Sequence, residues 1–579
     1  MPTSSPTARA IRKPSPVVGN LLLYCWALLA MGAAIGAWSL ATPLMAAPDE
    51  PHQAIEAAAV VRGQLDAAEH PTDVGPVAVV RVPAWMASTN SVATCLIWEY
   101  TRSAACAPPL NSGTETVEAT TQFSRYPPLY YALVGIPSLL SRGAPALYSM
   151  RMVGTLVNSS LIALGLFLLT RYHPRRRHLM AGVLVALSPM VFFVSSVLNP
   201  SGMEIAAGFA AWCAGLCVIE RRRVSTALAV WTSLAFVVLM LSRPPSPGYA
   251  AVILFTLGIL VGWSRSKELL RDRGTLPIRL SIVGALIAWG LTLIIAGGAP
   301  PFWGGIPYKP RLSLWRSIWL TLSLTVHRLR QCVGDFGWIN TPVPETVWVV
   351  WASALTVLVS AGLYVSSRCR RALPVLALVI IAIPVIFESP TIDSFGIWWQ
   401  GRYWLPLLIG APLVAVSQIS TREDVRRWTD HLATVVAVLM LGIILIAAQV
   451  WTFVVVLQRY EFGWGFGPGA IGHWAPPGGA AFVTGLFILG MVLLLGFVTF
   501  NLFRSRTQPS DDERHDDHDL ATRGPFAVTT TTANLSRPDR SAWSGRTLWR
   551  VRSCLDHLDG LTGLKGSAGG MPPEDGSSR

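Results

Sequence analysis

Charged side chains are scarce in this chain. Asp, Glu, Lys and Arg make up 13% of its 579 residues and hydrophobic residues make up 52%, whereas about a quarter of an ordinary soluble domain is charged. This deficit excludes a soluble globular protein and predicts a polytopic membrane protein. The net charge of +14 does not indicate a nucleic-acid partner, because the Lys and Arg residues concentrate in short loops between apolar segments, where they report membrane topology.

Charge is also nearly absent from the interiors of the apolar segments. A proton-coupled carrier usually needs ionisable residues near the middle of the membrane. No internal repeat strong enough to assign is visible, so the inverted-repeat signature of many transporters is missing as well. The sequence therefore favours a protein that works at the membrane surface over a carrier.

About twelve apolar segments are long enough, or nearly so, to cross the bilayer core of about 30 Å. They are 17–42, 146–170, 179–198, 203–219, 224–241, 249–263, 280–296, 346–365, 373–387, 404–416, 432–457 and 480–503. The first is too long for the apolar region of a signal peptide and is interpreted as a retained anchor. The predicted fold class is thus all-α and polytopic, with roughly twelve transmembrane helices.

Basic clusters predict the orientation. RYHPRRRH, ERRR, RSKELLRDR, SRCRR, TREDVRR and FRSR fall in alternate loops, and such loops stay on the cytoplasmic side. We expect a multi-pass protein of the bacterial cytoplasmic membrane, with a cytoplasmic N-terminus (1–16), a membrane domain (17–503) and a disordered cytoplasmic tail (504–579). Two long segments, 46–145 and 297–345, are then outer loops, and function usually lies in such ordered loops.

An acidic pair, Asp49 and Glu50, follows the first apolar segment directly and so lies on the predicted outer side. Pro51 suits the first turn of a helix, which is expected to run to about Gly63, so one interpretation is that Asp49 or Glu50 caps that helix. The other interpretation is catalytic: one carboxylate accepts a proton from a hydroxyl at the level of the lipid headgroups.

His52 and Glu56 are four residues apart and share a face of that helix, so they extend the polar site as candidate substrate-binding residues. Together with Asp49 and Glu50 they also offer hard ligands for a divalent cation such as magnesium or manganese. Adjacent carboxylates alone are a weak metal signal, so the metal is kept open and is not predicted.

Three of the eight cysteines, Cys95, Cys106 and Cys332, fall in predicted outer loops, and only these meet an oxidising compartment. Cys95 and Cys106 are close together in the first outer loop, where a disulfide would brace the chain. Two free thiols are the alternative.

A second acidic site is suggested by the turn LNPSGMEIAAG, which holds Asn199 and Glu204. One interpretation is an ordinary turn with an acid near a helix N-terminus. The other is that Glu204 faces a cavity shared with Asp49, because ionisable residues at this depth tend to line functional space.

Positive charge is scarce on the predicted outer side, so each basic residue there is informative. Guanidinium groups at this level either snorkel to bulk lipid phosphates or bind the phosphate of a specific lipid carrier. We interpret the segment RYPPLYYALVGIPSLL as an interfacial or re-entrant helix. Its Tyr126 is a further candidate for substrate binding. The outer basic residues are Arg125, Arg151, Arg243, Lys309, Arg311 and Arg402.

The ordered motifs PDEPHQAIEAAAVVRGQL, YPPLYYALVGIP, LNPSGMEIAAG, FGWINTPVP and QGRYWLPLL resemble a bacterial membrane family called domain of unknown function 2142. The first two also resemble the GT-C class of glycosyltransferases. The second resemblance implies a polyprenyl-phosphate sugar donor and an envelope glycan or glycolipid acceptor, with Asp49 at the position of the catalytic carboxylate. Asn199 departs from that class, several members of which have Asp in this turn.

Two alternatives stay open. A transporter or flippase of lipid-linked sugars would use the same outer carboxylates and arginines for binding and gating. A non-catalytic protein of envelope assembly would use the outer loops to bind partners, and Asp49 would then be only a helix cap.

Overall fold

The computed structural model describes residues 16–66, 69–70, 77–97, 99–173, 178–298, 311–419, 432–464 and 473–504. The expected N-terminal segment and tail therefore lie outside the described residues, apart from residues 16 and 504. The protein is a multi-pass, all-α membrane protein, as the composition predicts.

Helices account for most of the described chain. In the first half they are α1 (Pro16–Ala41), α2 (Glu50–Val60), α3 (Ala84–Ala87), α4 (Thr89–Ala93), α5 (Leu129–Gly135), α6 (Pro137–Leu140), α7 (Gly143–Tyr172), α8 (Leu179–Ala186), α9 (Pro189–Ser196), α10 (Pro200–Glu220), α11 (Thr226–Met240) and α12 (Ser246–Val261). They continue as α13 (Trp263–Arg271), α14 (Leu276–Ile295), α15 (Leu314–Ser323), α16 (Thr325–Val333), α17 (Glu345–Val365), α18 (Ser367–Phe387), α19 (Ile392–Phe395), α20 (Leu405–Leu408), α21 (Gly410–Ser417), α22 (Leu432–Phe462) and α23 (Ala480–Arg504). Single 3₁₀ turns lie at Ala104–Cys106, Arg273–Thr275, Ser389–Thr391 and Gly401–Trp404.

Eight helices in the described residues are long and apolar enough to cross a membrane, or ten if each of two bent pairs is one span. Twelve spans are not confirmed. The expected span at 224–241 is the helix α11, which is classed as shorter than a full span. The expected span at 404–416 is divided into α20 and α21, which contain Pro406 and Pro412; proline removes a backbone donor and so interrupts regular helix.

The two bent pairs have local causes. The helices α8 and α9 meet at 56° where Pro189 opens α9, because the residue before a proline is disfavoured in helix. The helices α12 and α13 meet at 118° at Gly262, whose φ of 83° is a conformation that glycine adopts most easily.

The helix α10 is the most enclosed of the spans, and 94% of its most apolar stretch is buried. It packs against α7, α11 and α12, while α1 packs between α7 and α23. Aromatic rings fill the interior below the outer ends of these helices: Trp38 of α1 stacks on Phe336 at 5.2 Å, and Phe453 of α22 stacks on Phe487 of α23 at 4.4 Å. By contrast only 11% of the corresponding stretch of α14 is buried, so that helix presents most of its surface outward.

The segment predicted to be the first outer loop is a compact unit built on α2. This helix begins one residue before the expected start at Pro51 and ends at Val60, about three residues before the expected end. One side of α2 packs against α5 and the other against a small sheet. The sheet was not foreseen. Its strands β1 (Glu69–His70), β2 (Val77–Pro83) and β3 (Thr116–Thr121) are antiparallel in that order, with Val80 opposite Ala119. Two residues each form β4 (Asp335–Phe336) and β5 (Thr341–Pro342) in the second outer loop.

Candidate functional site

Asp49 lies at the turn that leads from α1 into α2. Its backbone φ is 65°, in the left-handed region that Asp and Asn tolerate better than most residues. Asp49 occupies the N-cap position of α2, but its carboxylate makes no capping hydrogen bond. Its Oδ2 instead accepts a hydrogen bond from Nη2 of Arg402 at 2.7 Å. The side chain of Asp49 is 33% exposed, so the carboxylate remains accessible to a ligand, and helix capping does not account for it.

Glu50, the neighbouring acid, is fully buried. Its Oε1 and Oε2 accept hydrogen bonds from Nε and Nη2 of Arg151 at 2.6 and 2.7 Å, and Oε1 also accepts from the backbone N–H of Leu198 at 3.1 Å. The other Arg151 donors bind carbonyls at the end of α1, those of Ser39, Thr42 and Pro43. This closed ion pair joins α1, α2, α7 and the turn before α10. The geometry gives Glu50 and Arg151 a structural task, and their catalytic and substrate-binding roles stay predictions.

Asn199 fixes the backbone on which Asp49 stands. Its Oδ1 accepts from the N–H of Ser201 at 2.9 Å and so caps α10, while its Nδ2 donates to the carbonyl of Pro48 at 3.2 Å. A capping amide can satisfy both backbone groups, whereas an Asp carboxylate could only accept. The Asn at this position therefore suits a positioning task.

Glu204 is fully buried near the N-terminal end of α10 and pairs with Arg243, whose Nη1 donates to Oε2 at 3.0 Å. The hydroxyl of Ser246 donates to the other oxygen at 2.5 Å. The guanidinium carbon of Arg243 lies 4.8 Å from the ring centre of Tyr403 and 6.0 Å from that of Tyr126. Glu204 thus holds Arg243 against two tyrosine rings.

Arg402 contacts the same tyrosine, Tyr403. Its guanidinium carbon lies 5.2 Å from the ring centre of Tyr403, and its Nη2 is 3.3 Å from the Tyr403 hydroxyl. Its Nε is buried and has no hydrogen-bond partner. Two buried arginines therefore flank one ring beside an accessible carboxylate. We call Asp49, Tyr126, Arg243, Arg402 and Tyr403 the Asp49 cluster.

The backbone beside Arg402 is held by α16. The N–H of Gly401 donates to Oε1 of Gln331 at 2.9 Å, and the thiol of Cys332 donates to the carbonyl of Gly401 at 3.1 Å. A side chain at position 401 would collide with the carbonyl of Arg328, so glycine is required by this close approach. Gln331 in turn donates through Nε2 to Oδ2 of Asp335 at 3.2 Å.

His52 and Glu56 lie on the face of α2 that packs against β3. Nδ1 of His52 is 3.1 Å from the carbonyl of Thr120, and because a carbonyl only accepts, Nδ1 carries the proton in this contact. Burial lowers the pKa of His52. Burial also raises the pKa of Glu56 to about 7, against a smaller opposing effect of a hydrogen bond with Thr121. The two residues do not share a hydrogen bond in the described structure, and Glu56 Oε2 is buried without a partner.

The remaining candidates are dispersed. Nη1 of Arg125 lies near Gly298, 3.8 Å from where a β-carbon on that glycine would stand. Arg311 is exposed, and Lys309 lies outside the described residues. Cys95 and Cys106 form a disulfide with a Cα separation of 6.0 Å, which closes a loop next to α4.

A metal site does not emerge from the acids of α2. Within the described ranges, no group of three or more His, Cys, Asp or Glu side chains is placed to hold a metal ion. Glu50 is committed to Arg151, and Asp49 to Arg402.

Sequence reasoning singled out Asp49 and Arg402 but not their contact, and it named Arg243 only as one of several outer basic residues that could bind lipid phosphate. It missed Tyr403 and Gln331 altogether. Tyr403 had a usable signal, because it follows Arg402 in the motif WWQGRYWLP. Gln331 had none, since a lone glutamine in an outer segment carries no pattern.

The fold and site define a polytopic membrane protein with a buried arginine pair and an exposed carboxylate at one end of its helices. The chain belongs to the family described as predicted membrane protein (DUF2142), whose model matches residues 33–411, a range that includes both Asp49 and Arg402. The family expected from the motifs is thus confirmed.

Two solved structures of ArnT from Cupriavidus metallidurans are similar to the chain. The structure in the apo state is 13% identical in sequence and has a TM-score of 0.38; the match covers 85% of this chain and 78% of the ArnT chain. The structure bound to undecaprenyl phosphate is also 13% identical, covers 88% of this chain and 80% of its own, and has a TM-score of 0.39. No curated protein sequence matches the chain.

Proposed function

We propose that the protein is a glycosyltransferase that moves a sugar from a polyprenyl-phosphate donor to an envelope glycan or glycolipid on the extracytoplasmic side. The observation that carries this proposal is the Asp49 cluster, in which a partly exposed carboxylate lies 2.7 Å from a buried arginine. A carboxylate is the group that removes a hydroxyl proton, and arginines are the groups that bind phosphate bidentately. Both requirements of the reaction meet at one place.

In the proposed reaction Asp49 is the general base. It takes the proton of the acceptor hydroxyl while that oxygen forms a bond to the anomeric carbon of the donor sugar. The bond between that carbon and the phosphate oxygen breaks, and its electron pair leaves with the polyprenyl phosphate. Arg402 and Arg243 stabilise the charge that develops on the leaving phosphate. A single displacement of this kind inverts the anomeric centre.

The position of the cluster along the helices supports work at the outer surface. Arg151 lies near the start of α7, on the side of the Asp49 cluster, and Arg171 lies at its other end. Arg171 belongs to the basic cluster that predicts a cytoplasmic loop. In this proposed orientation both termini are cytoplasmic, as the basic clusters predict.

The contacts of the ion pairs favour an enzyme over a flippase. A carrier must exchange the partners of its membrane charges as it opens to each side. The Glu50–Arg151 pair is fully buried and uses both carboxylate oxygens and all three guanidinium nitrogens in hydrogen bonds. Such a pair stabilises one arrangement of α1, α2 and α7.

The test is transfer by purified protein in lipid nanodiscs, supplied with radiolabelled polyprenyl-phosphate sugars and envelope glycan acceptors. Asp49→Asn should lower the rate by at least about a hundredfold, the usual contribution of a general base. Glu118→Gln is the matched control, because Glu118 is an exposed acid of the same outer unit, and it should transfer at the wild-type rate. Unchanged transfer by Asp49→Asn contradicts the base assignment. Donor that crosses the bilayer without transfer supports a flippase instead.

A further inference from the structure

The contact between Asp49 and Arg402 joins two groups that the proposed reaction needs separately. A general base must have a lone pair available for the acceptor proton. Here Oδ2 of Asp49 already accepts a hydrogen bond from Nη2 of Arg402. A phosphate-binding arginine must likewise turn its donors to the phosphate. In the structure described, one carboxylate oxygen of Asp49 and one guanidinium nitrogen of Arg402 are thus committed to each other.

We propose that Arg402 exchanges its partner, leaving Asp49 for the phosphate of the donor, so that donor binding releases the base and the acceptor reacts second. This inference rests on the proposed function and concerns the order of events at the same site. It assigns the ion pair to the resting state of the protein, in which Asp49 is held inactive.

Three observations support the exchange. The phosphate monoester or diester of a lipid carrier presents several strong acceptor oxygens, so it offers a guanidinium more than one partner. Nε of Arg402 is buried without a partner and is available for a second hydrogen bond. The guanidinium carbon of Arg243 also lies against the Tyr403 ring, 4.8 Å from its centre, so a phosphate bound beside this ring has a second positive charge nearby. Asp49 offers neither of these additional contacts.

The exchange leaves the chemistry balanced. Asp49 remains ionised when Arg402 leaves, because no proton moves in that step. It then accepts the hydroxyl proton as the acceptor oxygen bonds to the sugar. Once the polyprenyl phosphate departs and the proton passes to water, Arg402 returns to the carboxylate.

The exchange predicts that Asp49 competes with the lipid phosphate for Arg402. Asp49→Asn removes the competing charge and should therefore bind a polyprenyl phosphate more tightly than wild type, by about tenfold, within the range usual for coupled sites. Asn is the chosen substitute because it tolerates the left-handed backbone at this position. Asp49→Gly, which tolerates it too, should behave in the same way. A variant that cannot transfer sugar is thus expected to bind donor product better.

The experiment measures binding of a fluorescent polyprenyl phosphate to nanodisc-embedded protein by anisotropy. Glu118→Gln removes an exposed negative charge at a distance and should leave the affinity unchanged, while Arg402→Ala should abolish most of the binding. Unphosphorylated polyprenol should gain nothing from Asp49→Asn. Inorganic phosphate as a competitor shows whether the site prefers a lipid phosphate or free phosphate. The proposal expects inorganic phosphate to displace the fluorescent polyprenyl phosphate only at a concentration far above that of the lipid.

The results separate this inference from the function on which it rests. Equal or weaker binding by both Asp49 variants, with wild-type thermal stability, overturns the exchange and leaves the glycosyltransferase proposal standing. A gain that is the same for polyprenol also overturns it, since the phosphate would then be irrelevant. Wild-type protein that binds no polyprenyl phosphate overturns both.

Discussion

The carboxylate of Asp49 and the guanidinium of Arg402 are 353 residues apart in the chain, and their atoms are 2.7 Å apart in the structure. Neither residue lies within an α-helix. Asp49 lies in a left-handed turn, next to Pro48, whose carbonyl accepts a hydrogen bond from Asn199. Arg402 lies in a 3₁₀ turn, next to Gly401, whose N–H donates to Gln331. The two anchors therefore determine the geometry of the Asp49 cluster.

The adjacent acids Asp49 and Glu50 should respond to substitution in opposite ways. Glu50→Gln leaves the guanidinium of Arg151 buried without its counter-charge, which typically costs about 3–5 kcal/mol of folding free energy. We expect a lower melting temperature and a smaller yield in the membrane, whereas Asp49→Asn should lose much less stability, because Asp49 is 33% exposed and Arg402 keeps its contact with the Tyr403 ring. Thermal unfolding of both variants in the same detergent makes the comparison.

The double variant Glu50→Gln/Arg151→Met is the control for that prediction, because it removes both charges of the pair. It should recover part of the stability that Glu50→Gln loses. A Glu50→Gln protein that melts like wild type but transfers no sugar contradicts the structural assignment and restores the catalytic one.

Much of this arrangement could be predicted from the sequence, because the signals were local. The acidic pair, the helix after it and the alternating basic loops each follow from a short stretch of residues. The sequence could not predict that Glu50 is buried in an ion pair while Asp49 stays accessible, because this difference depends on Arg151 and Arg402, which come from distant elements. The short sheet was missed because β2 and β3 are separated by more than thirty residues, and their alternation was overlooked within a chain dominated by helices.

The span count failed for a related reason. Hydropathy measures the length of an apolar run but not whether the backbone within it is continuous. Pro406 and Pro412 lie inside the expected span at 404–416 and divide it.

Arg243→Lys should weaken donor binding although it keeps the charge. Lys is a point charge that cannot form the planar fork of Arg or stack in the same way on the rings of Tyr403 and Tyr126. We expect the affinity for a polyprenyl phosphate to fall by about tenfold, equivalent to about 1.4 kcal/mol. Arg311→Lys, an exposed basic residue of the second outer loop, is the matched control. If Arg243→Lys and Arg311→Lys bind a polyprenyl phosphate equally well, Arg243 does not belong to the phosphate site.

Gln331→Met should act on donor binding through Arg402. The substitution removes the acceptor for the N–H of Gly401, a single hydrogen bond whose loss typically costs about 1 kcal/mol. Because Gly401 precedes Arg402, we expect a higher KM for the donor and little change in kcat at saturation. Steady-state kinetics over a range of donor concentrations separates the two parameters.

Gln331→Glu provides the conservative counterpart, because it keeps the acceptor oxygen. It also puts a charge beside Asp335, whose pKa burial raises to about 6. The new carboxylate replaces the amide whose hydrogen bond lowers the pKa of Asp335, and it adds a like charge, so the pKa of Asp335 rises further in the variant. KM should therefore approach the wild-type value at acidic pH, where protonated Asp335 can donate to the new carboxylate, and rise with pH as Asp335 ionises. A KM that does not vary with pH excludes this coupling.

Glu56→Gln should stabilise the protein increasingly as the pH rises from about 4.5 to about 7. Burial raises the pKa of Glu56 from 4.5 to about 7, so in this range the folded protein holds a proton that the unfolded chain has released. Folding of the wild type is therefore favoured at low pH and loses stability as the pH rises, by up to about 3 kcal/mol above pH 7. Gln does not titrate and avoids this loss.

Melting temperatures of Glu56→Gln and wild type between pH 4 and pH 8.5 measure the difference in stability, which should be near zero at the acidic end and constant above neutrality. Glu118→Gln, on the exposed side of the adjacent strand, should give no such trend. A difference between Glu56→Gln and wild type that is equal at all pH values would mean that folding does not change the pKa of Glu56.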